Sequence, residues 1–183
     1  MHGASSSDDP DAFGYGPAGV ASRTDKDVAR CTRDSADPGV QFVTVENGYP
    51  DYHCTFFGRY RNAGSIPVKV QKLEVFACTG AGCDPLSGTQ LTLAGNTWVY
   101  EDGTSGPDAE LQIGDVPYLE CGRQMDPGYN VGSVGYLHIL QGVEQDATYR
   151  FATVLTFVNW NEFDQAACEG LPDLPWPTPL PGP

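Results

Sequence analysis

Apolar side chains recur in this chain with period two, in short runs closed by glycine, proline and asparagine, which is the pattern of half-buried β-strands. Residues 42–45 form a β-branched and aromatic run that Asn47-Gly48 and Pro50 terminate, because glycine tolerates positive φ and proline cannot continue a ladder. Residues 54–60 make the next strand, ended by Asn62-Ala63-Gly64-Ser65 and Pro67, and Val68-Lys69-Val70 opens a third. Val68 and Val70 share one parity whereas Leu73, Val75 and Ala77 share the other, which predicts a β-bulge near Gln71-Lys72. Residues 89–93 and 97–100 are expected to form a hairpin across Gly95-Asn96, with a loop over 101–108. Residues 110–113 alternate as a short strand, and 116–121 is a further candidate interrupted by Pro117. The turn signal Met125-Asp126-Pro127-Gly128 leads into a strand over 133–140, and the longest strand is expected over 148–160. In that strand Tyr149, Phe151, Leu155 and Phe157 share one face, and Ala152, Val154, Val158 and Trp160 the other. Both faces therefore need cover, one by an opposing sheet and one by a loop or a neighbouring subunit. No segment has helical spacing of useful length; 144–147 and 163–169 suffice for one turn each. The fold class expected is all-β: a two-sheet sandwich of about eight to ten short strands.

Three zones follow. Residues 1–35 are rich in Ser, Asp, Gly and Pro and too poor in apolar side chains to fold alone, so they read as an extended N-terminal arm. Within the arm Phe13 and Tyr15 fall on one side of an extended strand, followed by Val20; a disordered terminus is the alternative. Residues 36–170 form the sandwich domain. Residues 171–183 hold six prolines in thirteen residues, which favours polyproline II: a spacer, or a strap seated through Trp176 and the leucines.

Composition narrows the partners. Ten basic residues against twenty-four acidic ones give a net charge of −14, which argues against nucleic acid and anionic membranes. No run approaches membrane-spanning length, and residues 1–30 lack the apolar core of a signal peptide, so a secreted form is expected to be the processed chain. The six cysteines, Cys31, Cys54, Cys78, Cys83, Cys121 and Cys168, have no zinc-binding spacing, and disulfides in an oxidising compartment are expected. Cys78 and Cys83 flank a flexible loop and can close a local bridge. Pairing among the other four is not readable from the sequence; Cys54 with Cys121 and Cys31 with Cys168 is the working expectation.

No catalytic constellation emerges. His2, His53 and His138 have no partner at i+4 and no H-E-x-x-H motif, so His53 and His138 read as ordinary strand residues rather than ligands. There is no G-x-S-x-G elbow, no phosphate-binding loop and no N-x-[ST] sequon. Asp8, Asp9 and Asp11, and the loop acids Asp102, Asp108 and Asp115, lack EF-hand spacing and read as solvated charge rather than a calcium site. No enzymatic activity, catalytic residue, metal or cofactor is expected.

Two blocks resemble a known family. Asn47-Gly48-Tyr49-Pro50-Asp51-Tyr52, then Arg61-Asn62-Ala63-Gly64-Ser65-Ile66-Pro67-Val68-Lys69-Val70, look like the N-[AG]-Y-P-G-Y … N-x-G-[ST]-I-P-V-K signature of the TasA/camelysin-like secreted β-sandwich proteins, which include TasA-type fibre and archaeal bundling-pilus subunits. Residues 136–141, 144–151 and 159–162 are similar to that family's last two strands, so the resemblance spans about 40–163. It implies a jelly-roll-like sandwich and the role of structural subunit in an extracellular, cell-surface filament. Subunits would join head to tail by donor-strand complementation, making the partner a second copy of the chain. By the same resemblance Phe13, Tyr15 and Val20 would be donor-strand residues, and Phe151, Val154, Leu155, Phe157 and Val158 would wall the acceptor groove. The alternative is a secreted camelysin-like metallopeptidase or a monomeric biofilm-matrix accessory protein, against which the missing metal-ligand motifs count.

Overall fold

The computed structural model describes residues 4–6, 28–35, 38–95, 97–103, 106–116, 121–144, 146–168 and 171. Their strands are β1 (Ala4–Ser6), β2 (Arg30–Asp34), β3 (Val40–Glu46), β4 (His53–Arg61), β5 (Val68–Thr79), β6 (Thr89–Leu91), β7 (Leu93–Ala94), β8 (Thr97–Tyr100), β9 (Ala109–Val116), β10 (Gln124–Met125), β11 (Asn130–Ile139) and β12 (Thr148–Asn159). They form two antiparallel sheets. The first has the order β1-β4-β11-β9-β8-β7; the second has β10-β5-β12-β3-β2, with β6 also on β5. The sheets pack face to face as a sandwich. No α-helix occurs among the described residues; two 3-10 turns, Pro85–Ser87 and Gln165–Ala167, are capped by the Asp84 and Asp164 carboxylates, which accept from the N–H groups of Leu86 and Ala166.

The alternation of the sequence becomes the division between core and surface. Val43 and Val45 of β3, Cys54 and Phe56 of β4, Leu111 of β9, Leu137 and Ile139 of β11, and Tyr149, Phe151 and Leu155 of β12 point between the sheets and are buried. Tyr100 of the first sheet meets Tyr149 and Phe151 of the second edge to face, at 6.4 and 6.1 Å between ring centroids, the arrangement that aromatic quadrupoles favour. The expected bulge is present: Thr156 faces Lys72 but Phe157 faces Val70, leaving Gln71 as the extra residue. Its amide turns to the second 3-10 turn, donating to the Asp164 carbonyl at 2.8 Å and accepting from the Asp164 N–H at 3.3 Å. The hairpin across Gly95 also forms, with Leu93 opposite Trp98.

The Cys78–Cys83 bridge forms as expected, but the other expected pairings do not. Cys31 bridges Cys54, and Cys121 bridges Cys168, with Cα atoms 6.2 and 6.0 Å apart. Strand placement explains the difference. β2 lies within the span assigned to the arm, yet it is the outer strand of the second sheet, and its Cys31 lies level with Val45 so that it meets Cys54 of β4 across the interior. Cys121 instead precedes a segment that runs along Val70, where Gly122 N–H donates to the Val70 carbonyl, and Gln71 holds the turn carrying Cys168 beside it. Three disulfides fit a protein of an oxidising, extracellular setting. No helix of the described residues is long and apolar enough to cross a membrane.

The turn after β4 is held by one side chain. Asn62, buried, donates to the carbonyls of Ile66 and Met125 at 2.8 and 2.9 Å and accepts from Gly64 N–H at 2.9 Å. It thereby welds the Ala63–Pro67 loop to β10, and a leucine of equal size would leave those polar groups unmatched.

Candidate functional site

Two places on the sandwich bring together polar groups that the fold itself does not consume. The first is a notch at one edge. β2 ends opposite Phe42 of β3, β3 begins at Val40 opposite Val154 of β12, and β12 continues from Leu155 to Asn159 with β5 on one side and no strand on the other among the described residues. The edge of the second sheet thus recedes in steps while β4 runs on to Arg61 in the first. Between them opens a cleft of about 580 Å3 with Tyr60, Leu155 and Phe157 as its apolar lining, the Tyr60 and Phe157 rings 6.0 Å apart. Arg33 and Gln41 also line it, and the exposed Arg59 and Arg61 stand at its rim. Three of the chain's ten basic residues therefore border one opening in a molecule of net charge −14. Arg33 Nε is buried there without a hydrogen-bond partner among the described residues, which leaves a donor for an acceptor from outside. Burial pushes the Tyr60 hydroxyl's pKa up, partly opposed by hydrogen bonds with Thr153, Ser133 and Gln41.

The residues expected to wall a groove on β12 separate in space. Leu155 and Phe157 line the cleft; Phe151 lies in the closed core; Val154 and Val158 belong to the opposite face of the strand. Phe13, Tyr15 and Val20, expected to form a donor strand, lie outside the described residues, as does Trp176. The arm does contribute β1, which pairs with the edge of β4 with Ala4 opposite Phe56 and Ser6 opposite Cys54.

The second place is a cross-strand row on the outer face of the first sheet. His53 of β4, His138 of β11 and Glu110 of β9 occupy successive register positions. The two imidazoles stack at 4.2 Å with their planes 13° apart. Asp51 reaches them from a turn: Tyr52 N–H donates to the Tyr49 carbonyl at 3.0 Å, Pro50 takes the second position, and Asp51 the third with φ of 71°. That is a type II turn, whose third position normally carries glycine. Asp51 Oδ1 lies 3.3 Å from Nε2 of both His53 and His138, and His138 Nδ1 is 2.9 Å from Glu110 Oε1. Burial, helped by His138, holds the His53 pKa below its ordinary value against the pull of Asp51. Along the chain both histidines look like plain strand residues; only the register of β4 on β11 makes them neighbours.

The loop acids behave differently. Asp108 is fully buried, its Oδ2 accepts from Asp102 N–H at 2.7 Å, and its Oδ1 has no hydrogen-bond partner among the described residues. Burial raises its pKa, so the folded state holds its proton more tightly than the unfolded chain does. The stabilisation from that proton is complete below the ordinary carboxyl value and is lost as pH rises through the elevated one. Asp108→Asn keeps the acceptor for Asp102 and cannot ionise. Its stability relative to wild type is expected to climb as pH is raised from acid to neutral, measured by urea unfolding across that range; a constant difference would show that Asp108 does not contribute this slope.

Compared with known proteins, the chain matches no family model, no curated protein and no solved structure.

Proposed function

We propose that the protein is the structural subunit of an extracellular filament, assembled head to tail by strand addition, in which the cleft beside Leu155–Asn159 receives the N-terminal arm of another copy. The observation that carries this is the stepped edge, which leaves β12 short of a neighbour where apolar side chains and the unused donor of Arg33 collect. An added strand supplies a main-chain carbonyl to such a donor and covers the exposed ladder of β12 in the same act.

The arm has the matching chemistry. Asp8, Asp9 and Asp11 complement Arg33, Arg59 and Arg61, and Phe13 and Tyr15, two residues apart, suit the lining of Tyr60, Leu155 and Phe157. β1 is consistent with this use, since it is a piece of the same arm that adds to a sheet edge. The resemblance of residues 40–163 to TasA-type subunits points the same way. A head-to-tail contact of this kind does not close on itself and so propagates as a fibre.

Electron microscopy and sedimentation of the full chain test the proposal. Filaments are expected from the intact protein, and soluble folded monomers after deletion of residues 1–27, which spares the buried Ala29 and β2. The pair Arg59→Glu/Arg61→Glu is expected to block assembly, and arms carrying Asp8→Lys, Asp9→Lys and Asp11→Lys to restore it. Normal filaments from the truncated chain, or an intact chain that stays at 19.6 kDa, would exclude the arm and cleft as the joint.

A further inference from the structure

We propose that Asp51, His53 and His138 form a binding site for a divalent transition-metal ion of the zinc class, independent of the strand-addition cleft. His53 and His138 face each other directly across β4 and β11, the closest side-chain relation a sheet offers. With Asp51 they bring one carboxylate oxygen and two imidazole nitrogens to within 4.8 Å of one another. The separations from Asp51 Oδ1 to the two Nε2 atoms, 3.3 Å each, match the edge of a tetrahedron about a zinc ion, which is about 3.3–3.4 Å for bonds of ~2.05 Å.

The surroundings are those of a ligand set. Glu110 sits 2.9 Å from His138 Nδ1, so Nδ1–H donates to that carboxylate and the Nε2 lone pair is turned toward Asp51. In this tautomer a lone pair of His138 confronts Asp51 Oδ1, to which His53 Nε2–H can donate at 3.3 Å, so a bound ion takes the place of that proton. One cation between them satisfies all three. The side chains of His53 and His138 are 15% and 19% exposed while Asp51 is 52% exposed, so the row is backed by the sheet and open on one side. Three protein ligands and an open position leave room for water or a fourth ligand. Two imidazoles with one carboxylate favour zinc, copper or nickel over calcium or magnesium, which prefer all-oxygen sets. Loading requires the stacked rings to splay by rotation about their side-chain torsions, for which the open side gives space.

Asp51 adds a second indication. Its φ of 71° is a conformation in which glycine is preferred. An aspartate at this position forgoes backbone stability and places a carboxylate on two histidines.

The test uses the full chain, with its six cysteines held in disulfides and therefore unable to compete as thiolates. Calorimetry with zinc is expected to show one ion per chain, and cobalt(II) to give the intense visible bands of a tetrahedral site. Zinc is expected to raise the melting temperature, whereas calcium is not. Asp51→Gly is the decisive variant, because glycine suits the turn: the chain should fold with an equal or higher melting temperature without metal, yet bind zinc at least about 100-fold more weakly. His138→Gln should lose the cobalt bands, Glu110→Gln should weaken binding about 10- to 100-fold, and His2→Gln should leave it unchanged. Absence of saturable one-to-one binding, or wild-type affinity in Asp51→Gly, would overturn the site.

Discussion

Replacing both members of the Cys121–Cys168 bridge with serine is expected to lower the unfolding free energy by about 4 kcal/mol, the largest loss of any single bridge here. The two cysteines are separated by 47 residues, and the chain-entropy account of cross-links gives about 4 kcal/mol for a closed loop of that size. The same account gives about 3.5 kcal/mol for Cys31–Cys54, separated by 23, and about 2 kcal/mol for Cys78–Cys83, separated by 5. The order of the three double variants in urea unfolding is therefore the result to examine. Native contacts reinforce the top rank: the long bridge pins the 3-10 turn Gln165–Ala167 against the bulge at Gln71, whose amide makes two hydrogen bonds to Asp164. A smaller loss than in the Cys78/Cys83 variant would mean that these local contacts, and not loop closure, hold the C-terminal segment.

Gly135→Ala is expected to cost about 3 kcal/mol, the upper end for overpacking a core. Gly135 of β11 faces Phe56 of β4 in register, and a Cβ there would lie far inside contact distance of Phe56 Cζ. Phe56 is among the most buried side chains of the sandwich, so moving its ring disturbs close-packed neighbours. The sequence pair is a large-for-small exchange across two strands, and it predicts coupling. Phe56→Leu in the Gly135→Ala background should recover at least about 1 kcal/mol relative to the sum of the single changes, read from a double-mutant cycle. Strict additivity would show that the ring does not occupy the glycine's space.

What could be read from the sequence was local. The parity change between Val70 and Leu73 is visible in a six-residue window, and so the bulge could be placed before any partner strand was known. The hairpin at Gly95 and the short Cys78–Cys83 bridge are local in the same sense. Long-range pairing was not legible. Cys31 finds Cys54 because β2 and β4 lie on the same side of two different sheets, and the spacing of cysteines along the chain carries no trace of that. The start of the sandwich was obscured for a related reason: Arg30–Asp34 has little apolar content, since an outer strand buries few of its side chains, and it resembles the polar arm before it. Neither His53 nor His138 has a partner at helical spacing; their partner is set by the register of β4 against β11, a property of the assembled sheet. Asp51 joins them only through a left-handed backbone conformation at a position where sequence rules expect glycine.

The Cys31–Cys54 bridge also determines how the molecule carries load. A pull on the N-terminal segment is borne first by β1 on the edge of β4, and what passes on to β2 meets at Cys31 a covalent link back to β4 before most of the second sheet has borne any of it. Cys54 is the residue opposite Ser6 in the β1–β4 ladder, so tension leaving through that bond arrives at the strand to which the arm's own first segment is paired. Force entering at β1 and at β2 thus converges on β4 through ladder hydrogen bonds, sulfur and backbone bonds, bypassing the hydrophobic core. Stretching loads the β1–β4 hydrogen bonds in shear, lengthwise along the strands, where they must fail together. The sandwich can then remain folded under a tension that would peel a single hairpin apart bond by bond.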